Sequence, residues 1–230
     1  MTTRFPYEAM HFTASSHQKL LQYAMSHKGL VFGTEFTGTW LYSLLRMQGC
    51  RRVIELGTGF GVSALWCALA MRENPGDGHV WTYDGGEPDP DFLQLAEELG
   101  LQNHLTFEQA LLYPERRDSK LPVPTDEPLD LVWSDIAMGR NISLDRTLGA
   151  RNVVEFYLPY LSDRGWILVD NGPPIEEILP PEILSDHGRR RFSCFRILKS
   201  ASAQNATSVL HIEPHPAPDD ISPWVRLDEN

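Results

Sequence analysis

The stretch Val53-Ile54-Glu55-Leu56-Gly57-Thr58-Gly59-Phe60-Gly61-Val62-Ser63-Ala64-Leu65-Trp66-Cys67-Ala68-Leu69-Ala70 holds three local patterns in succession. Arg52 to Leu56 is the short apolar run of a strand buried on both faces. Gly57, Gly59 and Gly61 then permit a tight turn and a close approach of backbone N–H groups to a ligand. Val62 to Met71 follows as an apolar helix. Strand, glycine turn and helix in that order open a parallel strand-helix-strand unit.

The pattern continues downstream. Pro75-Gly76-Asp77-Gly78 is a turn, and His79 to Tyr83 is a second strand ending at Asp84. Phe92 to Leu99 reads as a helix stopped by Gly100, and His104 to Phe107 as a third strand. Residues 111–128 are rich in proline and charge and read as a loop. Leu129 to Ser134 is a fourth strand ending at Asp135. A helix carrying Val153, Val154, Phe156, Tyr157 and Leu161 precedes a fifth strand, Gly165 to Val169, which stops at Asp170-Asn171. Phe192 to Leu198 and Ser208 to Ile212 read as an antiparallel pair at a sheet edge, and 213–230 as an irregular tail.

Upstream, residues 1–14 read as an extended lead-in, and Ser15-Ser16 as the cap of a helix reaching about His27. Phe36, Trp40, Leu41, Leu44 and Leu45 recur at helical spacing over about Glu35 to Met47, and Gly49 ends that helix. The expectation is one α/β domain over 1–230. It has a doubly wound, mostly parallel seven-stranded sheet, and residues 1–48 form an N-terminal helical cover. Ligands of such sheets bind outside the carboxyl ends of the strands. Glu55 to Gly57, Asp84, Asp135 and Asp170-Asn171 all fall at strand carboxyl ends.

Composition narrows the partners. The net charge of −11 repels nucleic acid and anionic membranes, and Arg189-Arg190-Arg191 is too short to reverse that. No apolar run approaches the ~20 residues of a membrane span. The first residues lack the apolar segment of a secretory signal. Cys50, Cys67 and Cys194 show no CxxC spacing and read as reduced thiols of a cytoplasmic protein. A small-molecule substrate is the partner this leaves.

The glycine loop excludes two nucleotide sites. A dinucleotide fingerprint places a small residue at position 62, where Val62 stands, and a P-loop needs a Gly-Lys-Ser/Thr that is absent. An acid at the end of the second strand suits a ribose, because a carboxylate accepts from both hydroxyls. Glu55 suits a cationic group held over the loop. Pyrophosphate fits this negative charge poorly, whereas S-adenosylmethionine (SAM) joins ribose hydroxyls to an ammonium and a sulfonium.

The segment from Val53 to Ala70, with Tyr83-Asp84 after it, resembles the first two motifs of class I SAM-dependent methyltransferases, and the likeness extends from about residue 30 to 212. It implies that Glu55, Gly57, Thr58, Gly59, Gly61 and Ser63 surround the methionine part of SAM. It implies further that Asp84 holds the ribose, that Gln109 and Ala110 meet the adenine, and that Asp135 borders the cofactor. If the fourth and fifth strands are neighbours, their tips lie ~5 Å apart and Asp135, Asp170 and Asn171 converge. Two carboxylates and an amide oxygen suit Mg²⁺ and not zinc. The plainer alternative is that Asp170 and Asn171 cap the following turn.

The runs Leu-Val-Trp-Ser-Asp135 and Ile-Leu-Val-Asp170-Asn171 are similar to those of the small metal-dependent O-methyltransferases, the catechol and caffeoyl-coenzyme A group. That likeness implies that Asp135, Asp170 and Asn171 bind a divalent cation, which the acceptor hydroxyls coordinate. It also implies the pairing into homodimers common among such enzymes. One departure stands out. The group places a lysine base three residues after its first metal Asp, where this chain has Met138. Arg140 is the nearest cation and cannot act as a base at neutral pH.

The function expected is methyl transfer from SAM to a small-molecule oxygen or nitrogen, with or without Mg²⁺. Two alternatives stay open at this point: cyclisation or cleavage of the aminocarboxypropyl group with release of methylthioadenosine, and a catalytically silent SAM-binding module. His211 and His215 are separated by Pro214 and do not make a helical metal pair. His17, His27, Tyr23 and Glu35 lie in the segment that covers the substrate in the resembling group, and none is named as catalytic.

Overall fold

The computed structural model describes residues 7–27, 34–114, 120–136, 146–179, 191–198 and 206–213. Two N-terminal helices, α1 (Tyr7–Ser26) and α2 (Thr34–Gln48), lead into β1 (Arg52–Leu56), α3 (Val62–Glu73), β2 (His79–Asp84), α4 (Pro90–Glu98) and β3 (Leu105–Gln109). Then come β4 (Leu129–Ser134), α5 (Arg146–Tyr157), β5 (Leu161–Asp170), α6 (Ile175–Ile178), β6 (Arg191–Leu198) and β7 (Ala206–Glu213). The seven strands form one sheet in the order β3-β2-β1-β4-β5-β7-β6. The first five strands run parallel, and β7 joins β5 and β6 antiparallel. Among the described residues no helix is long and apolar enough to cross a membrane.

Both faces of the sheet are covered, and alternation along each strand decides which residue meets which layer. Val53, Leu131, Trp133 and Leu168 pack against α1, α2 and α3 with Leu20, Leu41, Leu45, Leu65 and Leu69. Ile54, Leu56, Val132, Ile167 and Val169 pack on the other face against α5 and α6, with Val153, Val154, Tyr157 and Ile175. Helix α3 is buried along nearly its whole length, from Val62 to Met71. It has no polar face because α1 and α2 lie over the side turned away from the sheet.

Three local expectations are corrected. The lead-in is not extended: α1 starts at Tyr7, so Ser15 and Ser16 are interior helix positions and not a cap. Serine's weak helix preference yields to packing, with Ser16 buried and Leu20 and Ala24 fully enclosed in the core. Helix α5 stops at Tyr157, a 3-10 turn spans Leu158–Tyr160, and Leu161 opens β5. The fifth strand therefore starts four residues before Gly165. Its pairing with β4 jumps from Leu129↔Leu161 to Leu131↔Trp166, a bulge that takes up the polar Ser162-Asp163-Arg164. Residues 214–230, most of the expected tail, lie outside the described residues.

Candidate active site

The carboxyl ends of β1, β2 and β4 bound a cavity of about 360 Å³. The glycine turn forms its floor. Gly57 and Thr58 donate their backbone N–H groups to the Tyr83 carbonyl, at 2.8 and 3.2 Å, and Gly61 N–H closes the turn on the Thr58 carbonyl. Gly57, at φ 96°, is required twice over. Its conformation is left-handed, and a Cβ there would stand 2.4 Å from the Asp135 carbonyl oxygen. Gly61, at φ 75°, precedes α3, and its Cβ would lie 2.1 Å from the Phe92 ring. The turn thus brings the amino end of α3, with its partial positive charge, to the cavity wall at Val62 and Ser63.

Asp84 stands opposite. Its Oδ2 accepts the Gly59 N–H at 2.9 Å and its Oδ1 the Gly86 N–H at 3.0 Å. The Ala110 N–H donates to the Asp84 carbonyl at 2.7 Å, fixing the next strand end beside it. Gly57, Thr58, Gly59, Ser63, Asp84 and Asp135, all expected at the cofactor, line the cavity. Glu55, Gly61, Gln109 and Ala110 do not. Gln109 pairs with Asp84 across the sheet and donates its amide to the Gly85 carbonyl at 3.1 Å, so it braces the rim.

Glu55 lies beneath the floor, fully buried. Its two carboxylate oxygens accept from the hydroxyls of Ser63 and Thr82, and Thr82 lies 2.6 Å from the Thr58 hydroxyl. Burial pushes its pKa from 4.5 up to about 7, the two hydroxyl donors oppose that rise, and Asp84 adds to it. Glu55 therefore ties strand, turn and α3 together from below.

The rim contains residues that sequence reasoning missed. Leu111, Leu112 and Tyr113 line one side, and Phe60, Gly85 and Ile136 complete the wall. Leu111 packs over Gly85, whose Cβ would sit 3.0 Å from it. The available signal was an apolar trio directly after a strand end, in a stretch otherwise rich in proline and charge.

Strands β4 and β5 are neighbours, and the pair Ser134↔Val169 leaves Asp135 and Asp170 at adjoining strand ends. Asp135 donates its N–H to the Leu56 carbonyl at 2.8 Å. Asp170 accepts from the Thr207 hydroxyl at 2.8 Å and from the Asn171 amide at 3.0 Å. Asn171 has φ 52°, a left-handed conformation that Asn tolerates, so it also turns the chain out of β5. Asp170 and Asn171 do not line the cavity. Among the described residues no three His, Cys, Asp or Glu side chains are grouped so that they could hold a metal ion. The trio Asp135, Asp170 and Asn171 has an amide as its third member. Met138, Arg140 and His215 lie outside the described residues. His17 meets the rings of Tyr42 and Trp66, His211 stacks on Trp166 at 3.8 Å, and His27 lies on Phe60 at 4.7 Å.

Comparison with known proteins agrees with this geometry. Residues 54–172, just over half of the chain, match the family model described as a methyltransferase domain. A provisionally named O-methyltransferase of Mycolicibacterium vanbaalenii is 34% identical over 100 residues, 44% of this chain and 42% of that protein. The chain thus spans about half the length of the curated relatives it matches. Two crystal structures share the fold. The Bacillus cereus O-methyltransferase with S-adenosylhomocysteine (SAH) is 18% identical at a TM-score of 0.55, covering 86% of this chain and 90% of that one. TomG of Streptomyces achromogenes, an O-methyltransferase of tomaymycin synthesis held with SAM, is 17% identical at 0.53, covering 86% and 89%. The family match and the seven-stranded sheet together place this chain in the methyltransferase-domain family, with the fold of the class I SAM-dependent methyltransferases.

Proposed function

We propose that this protein transfers the methyl group of SAM to an oxygen of a small molecule. The observation that carries the reading is the cavity at the carboxyl ends of β1, β2 and β4, with Asp84 on one side and Asp135 on the other. Asp84 keeps one acceptor direction on each oxygen for the ribose hydroxyls. The two acids favour a sulfonium and an ammonium over an anion. The amino end of α3 suits the cofactor's carboxylate. Leu111, Leu112 and Tyr113 offer apolar cover to the adenine. Oxygen is preferred over nitrogen as the acceptor atom because the relatives named above are O-methyltransferases.

Mg²⁺ assistance is part of the proposal. Asp135, Asp170 and Asn171 would hold the ion, since two carboxylates and an amide carbonyl at adjoining strand ends are the donors a hard cation takes. Bound there, it would lower the pKa of an acceptor hydroxyl. The chain's own task is alignment: the floor at Gly57 to Gly59 and the wall at Asp135 hold nucleophile, methyl carbon and sulfur in line. Residues 1–230 are read as one domain of this kind, and the two buried thiols, Cys50 and Cys67, suit a reducing cytoplasm.

Product analysis tests the reading. Incubation with SAM and a panel of phenolic and aliphatic hydroxyl acceptors should yield SAH only when an acceptor is present. Release of methylthioadenosine without acceptor would refute methyl transfer. Chelation with EDTA should abolish turnover and Mg²⁺ restore it, and an unchanged rate would leave Asp170 and Asn171 as turn formers alone.

A further inference from the structure

The glycine turn is held from two sides. On the sheet side, Gly57, Thr58 and Gly59 are tied to Tyr83 and Asp84. On the helix side, the Tyr23 hydroxyl of α1 donates to the Phe60 carbonyl at 2.7 Å. The His27 ring lies 4.5 Å from the Tyr23 ring and 4.7 Å from Phe60, and its Nδ1 stands 2.9 Å from the Tyr23 carbonyl. Phe60 lines the cavity and sits between Gly59 at φ 53° and Gly61 at φ 75°. The two left-handed glycines leave Phe60 soft neighbours on both sides. The Phe60–Gly61 peptide is held inside the loop only at its N–H, which Gly61 donates to the Thr58 carbonyl, and Tyr23 holds its carbonyl end from outside.

We propose that Tyr23 is a positioning residue for the cofactor: its hydroxyl fixes the Phe60 carbonyl and so sets how the Gly59-Phe60-Gly61 backbone meets the bound nucleoside. The inference deepens the proposed function and rests on the glycine turn being the cofactor floor. Half-burial, followed by the Asp89 and Asp91 carboxylates, holds the phenol above its ordinary pKa, so it stays a donor at any working pH. The link also joins the N-terminal helical layer to the cofactor floor, which makes α1 part of the site and not just its roof.

The test compares Tyr23→Phe with Tyr42→Phe. Tyr42 donates to the Glu73 carboxylate Oε2 at 2.5 Å, a charge-assisted hydroxyl bond in the same helical layer but away from the cavity. SAH is titrated into each variant by calorimetry, SAM saturation kinetics are run with an active acceptor, and Tm is recorded. Tyr23→Phe should weaken SAH binding by about fivefold, because binding must then restore the Phe60 carbonyl orientation that one ordinary hydrogen bond had held in the free protein. KM for SAM should rise in step while kcat stays within about twofold. Tyr42→Phe should lower Tm by at least as much as Tyr23→Phe and leave SAH affinity unchanged. Unaltered SAH binding in Tyr23→Phe overturns the inference, as does an equal loss of affinity in both variants, which would reduce Tyr23 to a general stabiliser. If the unaltered protein binds neither SAH nor SAM, the cofactor reading itself falls and this inference with it.

Discussion

Each oxygen of Asp84 already accepts one backbone N–H, from Gly59 and from Gly86. The carboxylate therefore organises the rim before any ligand arrives. Asp84→Ala removes both bonds and the negative charge, and SAH affinity should fall about tenfold or more, as for hydrogen bonds to a charged group. Calorimetric titration reads this directly, and an unchanged affinity would rule out the ribose role. Asp84→Asn swaps one acceptor oxygen for a donor facing a backbone N–H, so it should lose affinity as well. Glu55 makes a different prediction. Its folded pKa of about 7 lies above the ordinary 4.5, so between those values the folded chain holds a proton that the unfolded chain has released. Stability from this group then falls as pH rises from about 4.5 to about 7 and is level above that. Glu55→Gln removes the group's titration. Urea midpoints measured across that range should slope less steeply with pH in the variant than in the parent, and parallel slopes would show that Glu55 titrates normally.

At the scale of elements, close approach outweighs propensity. Gly38 lies within α2, where alanine would normally gain about 1 kcal/mol over glycine. A Cβ there would fall 2.1 Å from Trp66 Cδ1, on a ring that is itself fully buried in α3. Gly38→Ala should thus destabilise the fold by about 1–3 kcal/mol, the usual cost of overpacking, despite the better helix former. Thermal unfolding checks the sign, and a raised Tm would mean that α2 and α3 can separate freely. The same reasoning shows where element boundaries were legible. Arg52–Leu56 and Leu129–Ser134 have the bounds expected from their runs, because strands enclosed on both faces read as near-continuous apolar stretches. Helix α1 begins eight residues before the expected cap, and β5 begins four residues before its apolar run. Ser15-Ser16 and Ser162-Asp163-Arg164 look like punctuation in sequence, yet the first pair is built into a packed helix and the second run into a bulge.

For the whole molecule, the site draws on the ends of β1, β2 and β4 and on the loop after β3, so a bound nucleoside links segments far apart in the chain. SAH at about one hundred times its Kd should stabilise the fold by about 2.7 kcal/mol. For a chain of this length that corresponds to a Tm rise of about 5–10 °C. Asp84→Ala should lose about half of that rise or more at the same ligand concentration. No shift in the parent protein would contradict cofactor binding altogether.

The sequence by itself determined the class of fold and pointed to the strand ends that border the cavity. Strand period, glycine spacing and the acids at Asp84 and Asp135 are properties of consecutive residues, legible without neighbours. The trio proposed to hold a metal was legible only as a juxtaposition of two strand ends, and the order β1-β4-β5 makes those strands neighbours. Only the tertiary structure decided that Glu55 is enclosed beneath the floor by Ser63 and Thr82, and that Leu111 to Tyr113 close the rim. It alone brought Tyr23 of α1 onto Phe60. Those hydrogen bonds join residues 8 to 37 positions apart through packing of separate elements, and packing in space leaves no periodic mark along the chain.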